Sequence, residues 1–221
     1  MNDHLSVVIP IRKGSVRVKN KNLRKFNTKN LLTYKILKLK KLKNIEKIIV
    51  NTDSEEAIDI AKNLNVSYFK RQKYFASTQC SNSTFWQNVA ETTKSEYLMF
   101  TNCTSPLIEI KTYQSIINKF LKIKKLYGSI NTVTQIREFI YYNNKPLNFK
   151  TSKAPKSQNI SNTFKLNFAV NIISNKEMYQ NKSIVSKKPF FFNLSDIEGF
   201  DIDTMVDFEI AEFLHKKRHN D

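Results

Sequence analysis

The sequence contains little glycine, cysteine and histidine, and each shortage excludes a class of site. With three glycines among 221 residues, no loop can repeat a glycine-rich phosphate-binding motif. Neither Cys80 nor Cys103 has a CxxC partner, and the three histidines lie near the chain ends. These features leave no zinc constellation and no evident Ser-His or Cys-His nucleophile. Carboxylates, Lys, Arg and hydroxyls remain, which suit metal-assisted phosphoryl or nucleotidyl chemistry better than acyl transfer.

Long apolar runs are also missing from the chain. No stretch approaches the roughly 18 apolar residues that a membrane span needs, and the first residues lack a signal-peptide core of sufficient length. We therefore expect a cytoplasmic, reduced protein with no membrane partner. Hydrophobic residues still make up 40% of the chain and aromatic residues 12%, so we expect one domain over residues 1–221 with a substantial core.

Positive charge is in large excess, with 37 Lys and Arg against 19 Asp and Glu and a formal charge of +18. A basic nucleic-acid-binding protein is therefore one hypothesis. The lysines, however, alternate with apolar residues at helical spacing, as in "TYKILKLKKLKNIEK". We interpret most of them as solvated helix faces that favour solubility or attract an anionic substrate, and we expect nucleic acid not to be a partner.

Strand and helix patterns alternate along the chain. "LSVVIPIR" reads as a strand buried on both faces of a parallel sheet. The stripe of Leu32, Ile36 and Leu39 predicts a helix over about residues 33–43. Strands "IEKIIVNT", "VSYFK", "YLMFTN", "SINTVTQI" and "FKLNFAVNIIS" follow, with helices between most of them. This order predicts a three-layer αβα fold, Rossmann-like, with a mostly parallel sheet.

Two further segments add detail to this α/β pattern. The polar, Pro-containing stretch of residues 138–162 cannot be one regular element, so we expect a small insertion lobe there. Either Asp53 or Ser54 is expected to cap the helix after the second strand, and Thr204 is expected to cap the last helix, with Asp207 in its first turn.

The loop after the first strand is rich in hydrogen-bond donors. In "RKGSVRVKNKNLRKF", backbone amides at Gly14 and Ser15 accompany Arg12, Arg17 and Lys21. Ligands of parallel sheets bind at the carboxyl ends of the strands, where this loop lies. The motif chemistry leaves two interpretations open: a triphosphate-binding loop, or an ordinary basic surface loop.

Near the end of the chain, "FDIDTMVDF" spaces two carboxylates two residues apart. In an extended segment Asp201 and Asp203 face the same side, a spacing suited to one divalent cation. The alternative is that Asp203 only caps the last helix.

Taken in order, several motifs resemble those of the acylneuraminate cytidylyltransferases, also called CMP-sialic acid synthetases, and their relatives acting on legionaminic and pseudaminic acids. The motifs are "IPIRKGSVRVKNKNL", "VNTDSEEAIDIAKNLNV", Arg71 followed by "YFAS", "TSPL", Asn167 in "LNFAVNI", and "FDIDTMVDFEIAE". The resemblance spans nearly the whole chain. It implies a nucleotidyltransferase that moves CMP from CTP to the anomeric hydroxyl of an acidic nine-carbon sugar and releases pyrophosphate.

The resemblance also implies roles for individual residues. Asp201 and Asp203 would bind Mg²⁺ or Mn²⁺, and Asp201 would accept the hydroxyl proton directly or through a bound water. The family's loop lysine is Val16 here, and we expect the longer Arg17 to replace it. The nucleotide would be held by Arg12, Gly14, Ser15, Arg17, Lys21, Asn22, Arg71, Ser81 and Ser83, and the sugar by Asn102, Gln158 and Asn167, with Arg12 and Lys21 holding the triphosphate during catalysis.

Two points stay open beside this resemblance. The sugar carboxylate is expected to bind one cation from the group Lys150, Lys153, Lys156 and Lys165. The family forms homodimers, so the resemblance also implies a homodimer. Another sugar nucleotidyltransferase, or a catalytically degenerate homologue, is the nearest alternative. The basic nucleic-acid-binding protein is the alternative from another class and would show a steep salt dependence of affinity.

Overall fold

The computed structural model describes residues 4–15, 17–160 and 163–219. Val16 of the basic loop and residues 161–162 of the predicted lobe lie outside this described part. The strands are β1 Leu5–Ile11, β2 Lys25–Phe26, β3 Lys29–Asn30, β4 Lys47–Thr52, β5 Ser67–Lys70, β6 Tyr97–Phe100, β7 Ser129–Gln135, β8 Tyr141–Tyr142, β9 Lys145–Pro146, β10 Phe164–Ser174 and β11 Pro189–Asn193. The helices are α1 Leu31–Leu39, α2 Glu55–Asn63, α3 Lys73–Ala76, α4 Asn82–Thr92, α5 Ile110–Ile123, α6 Asn175–Asn181 and α7 Met205–His219.

Seven strands form the central sheet in the order β11-β7-β10-β6-β1-β4-β5. The pairs β1–β4, β1–β6, β4–β5 and β7–β11 are parallel, whereas β10 runs antiparallel to both of its neighbours. The sheet is therefore mostly parallel, as predicted. Because β10 is reversed, its amino-terminal half lies at the edge where the parallel strands end.

Alternate side chains of β1 belong to two different apolar clusters, one on each face of the sheet. Val7 and Ile9 belong to a large apolar cluster with α1, α5 and α7, whereas Val8 belongs to a second cluster with α4 and α6. All three side chains are fully buried. Since successive strand residues point to opposite faces, helices cover both faces of the sheet.

Helix α1 begins earlier than the predicted residue 33. Asn30 caps it, its side chain accepting a hydrogen bond from the backbone N–H of Thr33 at 2.8 Å. The predicted apolar stripe is confirmed, since Leu32, Ile36 and Leu39 are all fully buried. The helix ends at Leu39, and Lys40 forms its C-cap instead of extending it to residue 43.

The same helix corrects the interpretation of its lysines as solvated. Lys35 is buried, and Lys38 is largely enclosed, its ammonium group donating to two backbone carbonyls. Helical spacing places position 35 on the same side as Leu31 and Ile36, facing the protein. The aliphatic stems of both lysines thus pack against the protein, and their ammonium groups donate hydrogen bonds within the chain.

The predicted lobe is irregular, as expected. Its described part contains the short hairpin β8–β9 and two 3₁₀ turns, Thr151–Lys153 and Ser157–Asn159. Phe149 packs edge-on against Phe139 and Tyr141, with ring centroids 4.7 and 5.4 Å apart. The lobe therefore has a small aromatic centre of its own. None of the helices in the described ranges combines the length and apolarity needed to cross a bilayer.

Candidate active site

The basic loop, residues 12–22, follows β1 at the edge where the parallel strands end. Gly14 adopts a positive φ of 80° that a side chain would disfavour, and this allows the chain to turn. The backbone N–H of Lys13 donates to Asp53 at 2.8 Å. Asp53 thus ties the loop to the end of β4. Of the two residues expected to cap α2, Asp53 and Ser54, the structure gives Ser54 as the N-cap.

Arg12 and Asn22 lie between two small cavities on this loop. One, of about 200 Å³, is lined by Pro10, Arg12, Ser15, Asn22, Asn102, Cys103 and Thr104. The other, of about 100 Å³, is lined by Ile11, Arg12, Lys13, Gly14, Asn20, Lys21, Asn22, Leu23, Ser54 and Glu56. The Oδ1 atom of Asn22 is buried and has no protein partner among the described residues. Five of the predicted nucleotide residues therefore line these two cavities, namely Arg12, Gly14, Ser15, Lys21 and Asn22, whereas Arg17 of the same loop lines neither.

The loop meets the aspartate pair across nearly the whole length of the chain. Arg17 donates to Oδ1 of Asp203 at 2.8 Å, and the Lys21 ammonium lies 3.8 Å from the same oxygen. Lys21 also donates to the backbone carbonyl of Ile202. Burial lowers the pKa of Lys21, while the charges of Asp201 and Asp203 oppose that change. Two separate predicted motifs thus form one site.

Asp201 is the more enclosed of the two carboxylates. Burial raises its pKa, partly opposed by a hydrogen bond from the Thr104 side chain. Its Oδ1 atom is buried without a hydrogen-bond partner among the described residues. A buried, unpaired carboxylate oxygen is costly unless something binds it. The hard-oxygen pair Asp201 and Asp203 fits a divalent cation such as Mg²⁺, and no group of three or more His, Cys, Asp or Glu suited to a metal occurs in the described ranges.

The capping role proposed as the alternative for Asp203 belongs to its neighbours. Asp207 accepts hydrogen bonds from the backbone N–H groups of Asp203 and Thr204, at 3.0 and 2.7 Å. Thr204 Oγ1 in turn accepts from the N–H of Asp207 at 3.2 Å. This reciprocal capping box starts α7 and leaves the Asp203 carboxylate directed at Arg17 and Lys21.

Arg71 lies beside this edge in a fixed position. Its guanidinium donates to the side chain and the backbone carbonyl of Asn51, both at 2.7 Å, and lies 4.2 Å from the centre of the Phe85 ring. Burial lowers its pKa to about 10, so it remains charged at neutral pH. The structure thus links Arg71 to α4, the helix that Ser81 caps and in whose first turn Ser83 is exposed.

A larger cavity of about 790 Å³ opens on the other side of the aspartate pair. It is lined by Thr134, Gln135, Ile136, Arg137, Glu138, Ile140, Lys165, Leu166, Asn167, Phe168, Asp196, Gly199, Phe200, Asp201, Asp203 and Asp207. We call it the acceptor cavity. Of the three predicted sugar residues, Asn167 is in this lining, Asn102 lies in the small cavity with Arg12, and Gln158 is exposed on a 3₁₀ turn.

Asn167 is held firmly at this position. Its Oδ1 atom accepts from the Thr132 hydroxyl at 2.7 Å, and its Nδ2 group donates to Thr134 at 2.9 Å. The next residue, Phe168, has a positive φ of 54° inside an irregularity of the β10–β7 pairing. An aromatic residue in this conformation is strained, and such strain concentrates at functional sites.

Several residues of the acceptor cavity were not predicted from the sequence. Arg137 and Asp196 form a 3.9 Å ion pair on its wall, and Glu138 lies beside them. Arg137 and Glu138 lie two and three residues after the end of β7. Because ligands bind at this end of the parallel strands, their positions could have predicted them as site residues. Asp196 comes from the loop after β11, a strand that the sequence patterns did not reveal.

The chain is similar in sequence to several known proteins. The chain is 28% identical to the post-translational flagellin modification protein B of Campylobacter coli, covering 94% of this chain and 93% of that protein. It is 27% identical to the CMP-N,N'-diacetyllegionaminic acid synthase of Campylobacter jejuni, covering 92% and 91%. A pseudaminic acid cytidylyltransferase of the same species is 26% identical over 96% of both chains.

Solved structures share the fold at low sequence identity. A CMP:2-keto-3-deoxy-manno-octonic acid synthetase complexed with CTP superposes with a TM-score of 0.70 at 12% identity, covering 98% of this chain and 100% of that one. A 4-diphosphocytidyl-2C-methyl-D-erythritol synthase from Anaerococcus prevotii gives 0.69 at 12% identity, covering 97% of each. The sequence profile of one family, described as Cytidylyltransferase, matches residues 6–219. The chain therefore belongs to the cytidylyltransferase family.

Proposed function

We propose that this enzyme transfers CMP from CTP to the anomeric hydroxyl of an acidic nonulosonic sugar and releases pyrophosphate. The observation that carries the proposal is the meeting of Arg17 and Lys21 with Asp203 at 2.8 and 3.8 Å. It joins a triphosphate-binding loop to a pair of metal-binding carboxylates, with the acceptor cavity on the far side. This order of loop, carboxylates and second cavity suits transfer between two substrates.

The chain's own residues supply most of the chemistry of an in-line displacement at the α-phosphate. Arg12, Arg17 and Lys21 neutralise charge on the departing pyrophosphate. Asp201 lies in the acceptor cavity with a raised pKa, which suits a carboxylate that takes the proton of the attacking hydroxyl. A divalent cation on Asp201 and Asp203 would supply further charge neutralisation and orient the phosphate.

The structure supports one candidate for the sugar carboxylate among the four lysines considered. Lys165 lines the acceptor cavity and acts electrostatically on Asp201, whereas Lys150, Lys153 and Lys156 are not among the lining residues described. Arg137 is a second cation in the same cavity, already paired with Asp196. We therefore assign the carboxylate to Lys165.

The choice of acceptor is supported by relatives named for legionaminic, pseudaminic and N-acylneuraminic acids. It is tested by incubating the protein with CTP, Mg²⁺ and each of these acids, with 2-keto-3-deoxy-manno-octonic acid as the eight-carbon comparison. Mass spectrometry should detect a CMP-sugar with at least one nine-carbon acid. A product with the eight-carbon acid alone would favour a different sugar nucleotidyltransferase, and no product with any acid would favour a degenerate homologue.

A Lys165→Ala variant refines this experiment, with Lys150→Ala as the charge-matched control on the lobe. Losing one charge-assisted hydrogen bond should raise KM for the acceptor by about tenfold or more, with KM for CTP unchanged. Equal effects of the two variants would remove Lys165 from the acceptor site.

We also propose that the protein is a homodimer whose contact involves the lobe. Tyr141 and Tyr142 of β8, and Leu147 directly after β9, are 57, 68 and 63% exposed. Clustered exposed aromatic residues are typical of interfaces. Light scattering at micromolar concentration should give twice the 25.9 kDa chain mass, and a Tyr142→Lys, Leu147→Lys double variant should shift the mass toward the monomer. A wild-type monomer would contradict this proposal.

A further inference from the structure

Two lysines of α1, the buried Lys35 and the half-buried Lys38, hold the segment between β6 and α5, residues 101–109. Lys35 donates to the hydroxyl of Tyr113 at 2.6 Å, the carbonyl of Ser105 at 3.0 Å and the hydroxyl of Thr101 at 3.4 Å. Lys38, one turn further along the helix, donates to the carbonyls of Pro106 and Ile108 at 2.8 and 2.6 Å. Four of these five acceptors belong to the one segment.

The arrangement is energetically unusual. The hydrogen bonds described for Lys35 and Lys38 go to neutral hydroxyl and carbonyl oxygens. In the described part of the chain, carboxylates act on the two ammonium groups only electrostatically, Asp201 on Lys35 and Glu198 and Glu109 on Lys38. Burial lowers the pKa of Lys35 to about 8 and that of Lys38 to about 7. A buried charge that is hydrogen-bonded only to neutral oxygens opposes folding, so packing alone would favour apolar side chains here.

The segment that they hold forms part of the active site. Asn102 and Thr104 line the small cavity beside Arg12. The Thr104 side chain hydrogen-bonds to Asp201, and the Thr104 carbonyl accepts from the backbone N–H of Ile202 at 2.9 Å. Ile202 is the residue between the two aspartates, so Thr104 sets the position of both.

We propose that Lys35 and Lys38 are positioning residues that fix residues 101–108, and through Thr104 the Asp201–Asp203 pair, for the transfer reaction. The expected loss of activity rests on the proposed function, whereas the positioning of the segment does not. The ammonium ends turn three backbone carbonyls of the segment toward the protein interior, which fixes its path between the strand and α5. Neither lysine lines any of the three cavities described. Asp201 also acts electrostatically on Lys35, whereas the interactions described for Lys38 do not include Asp201, so Lys38 is the cleaner test of an effect that passes through the segment.

The test uses Lys35→Met and Lys38→Met, which keep the stem and remove the donors. Ile36→Ala is the matched control, because Ile36 is fully buried in the main core on the same helix and its side chain donates no hydrogen bond to the segment. Its cavity should cost about 2–5 kcal/mol of stability, at least as much as either lysine variant. Each protein is measured with CTP, Mg²⁺ and the best acceptor from the product assay.

The two lysine variants should lower kcat by about tenfold or more, because the segment positions Asp201 through Thr104. KM for CTP should stay within about threefold, because under the proposed function the triphosphate is held by the basic loop, and the segment adds only Asn102, Cys103 and Thr104 to the small cavity beside that loop. Ile36→Ala should keep kcat at permissive temperature. Should Lys35→Met fail to fold, the less enclosed Lys38→Met carries the comparison. Unchanged kcat in Lys38→Met, or an equal loss in Ile36→Ala, would overturn the proposal.

Hydrogen exchange separates this inference from the proposed function. Backbone amides of residues 101–109 should exchange about tenfold faster in Lys38→Met than in the wild-type protein, and no faster in Ile36→Ala. This result does not require turnover. If the wild-type protein formed no CMP-sugar, the proposed function would fail while exchange still tested the positioning. Unchanged exchange in the segment would overturn the positioning itself.

Discussion

The guanidinium of Arg17 donates to Oδ1 of Asp203 at 2.8 Å, although 186 residues separate them in the chain. Arg17 therefore lies where the basic loop and the carboxylate pair meet, with its side chain 66% exposed and its guanidinium paired to the carboxylate. The expectation that it supplies the cation missing at position 16 stays a prediction, and its place beside Lys21 supports that prediction.

Arg17→Ala should lower kcat/KM for CTP by about ten- to a hundredfold, the loss of one charge-assisted hydrogen bond to phosphate. Lys21→Ala should cost at least as much, because Lys21 is also more enclosed. Lys25→Ala is the control, since it removes the same charge from the exposed position 25 in β2. Steady-state kinetics with varied CTP measures all three, and an Arg17→Ala enzyme equal to the Lys25→Ala control would show that position 17 does not contact the nucleotide.

Asp201→Asn and Asp203→Asn should abolish metal-dependent activity with little change in stability, because each variant keeps the shape and removes a hard anionic ligand. Asp207→Ala should behave differently. Its loss breaks the cap of α7 and should cost about 0.5–2 kcal/mol of stability. Urea unfolding and Mg²⁺ titration of activity distinguish the two outcomes. Wild-type activity in both Asn variants would exclude the pair as the metal site.

Stability should rise with pH between about 7 and 9. The folded-state pKa values of Lys38 and Lys35, about 7 and 8, lie below the ordinary 10.5 of the unfolded chain. The unfolded chain therefore binds more protons in this window, and deprotonation favours the folded state. Above about pH 9 the buried Cys103 thiol, with its pKa raised to about 12, gives the opposite contribution, because the unfolded thiol ionises first.

Urea unfolding at pH 7 and pH 9 measures this rise in the free energy of unfolding. A Lys35→Met, Lys38→Met double variant should show a smaller rise than the wild-type chain. An identical rise in both proteins would mean that the two lysines are not the titrating groups.

At position 168, glycine should be more stabilising than alanine, which is the reverse of their usual order in a strand. The φ of 54° at Phe168 favours glycine, so Phe168→Gly should be more stable than Phe168→Ala by about 1 kcal/mol. At the neighbouring buried Ala169, which is not among the residues with positive φ, Ala169→Gly should instead destabilise by about 0.5–1 kcal/mol. Chemical denaturation measures all three variants, and an alanine variant more stable than its glycine counterpart at position 168 would show that the strain is absent.

The sequence predicted the fold well because apolar periodicity determines which faces are buried. The β1 run and the α1 stripe show this directly, as does the capping box of Thr204 and Asp207. The basic loop and the aspartate pair were identifiable because each is a local motif. Their contact could not be read from spacing, since it depends on how α7 packs on the sheet.

Other features could not be predicted because they too depend on how distant segments pack together. Lys35 and Lys38 look like solvated lysines in the sequence, but in the structure residues 101–108 pass over both of them and Tyr113 of α5 contacts Lys35. Asp196 reaches the acceptor cavity because β11 adds to the edge of the sheet beside β7. The Mg²⁺ requirement, the dimer and the cytoplasmic location stay predictions.

Pyrophosphate release in an omission experiment tests the central claim most directly. Wild-type protein should release pyrophosphate only when CTP, a divalent cation and a nonulosonic acid are all present, and chelation with EDTA should stop the release. Substituting UTP or ATP for CTP should reduce the rate to near background. Equal rates with UTP or ATP, or release that does not depend on the acid, would contradict the assignment.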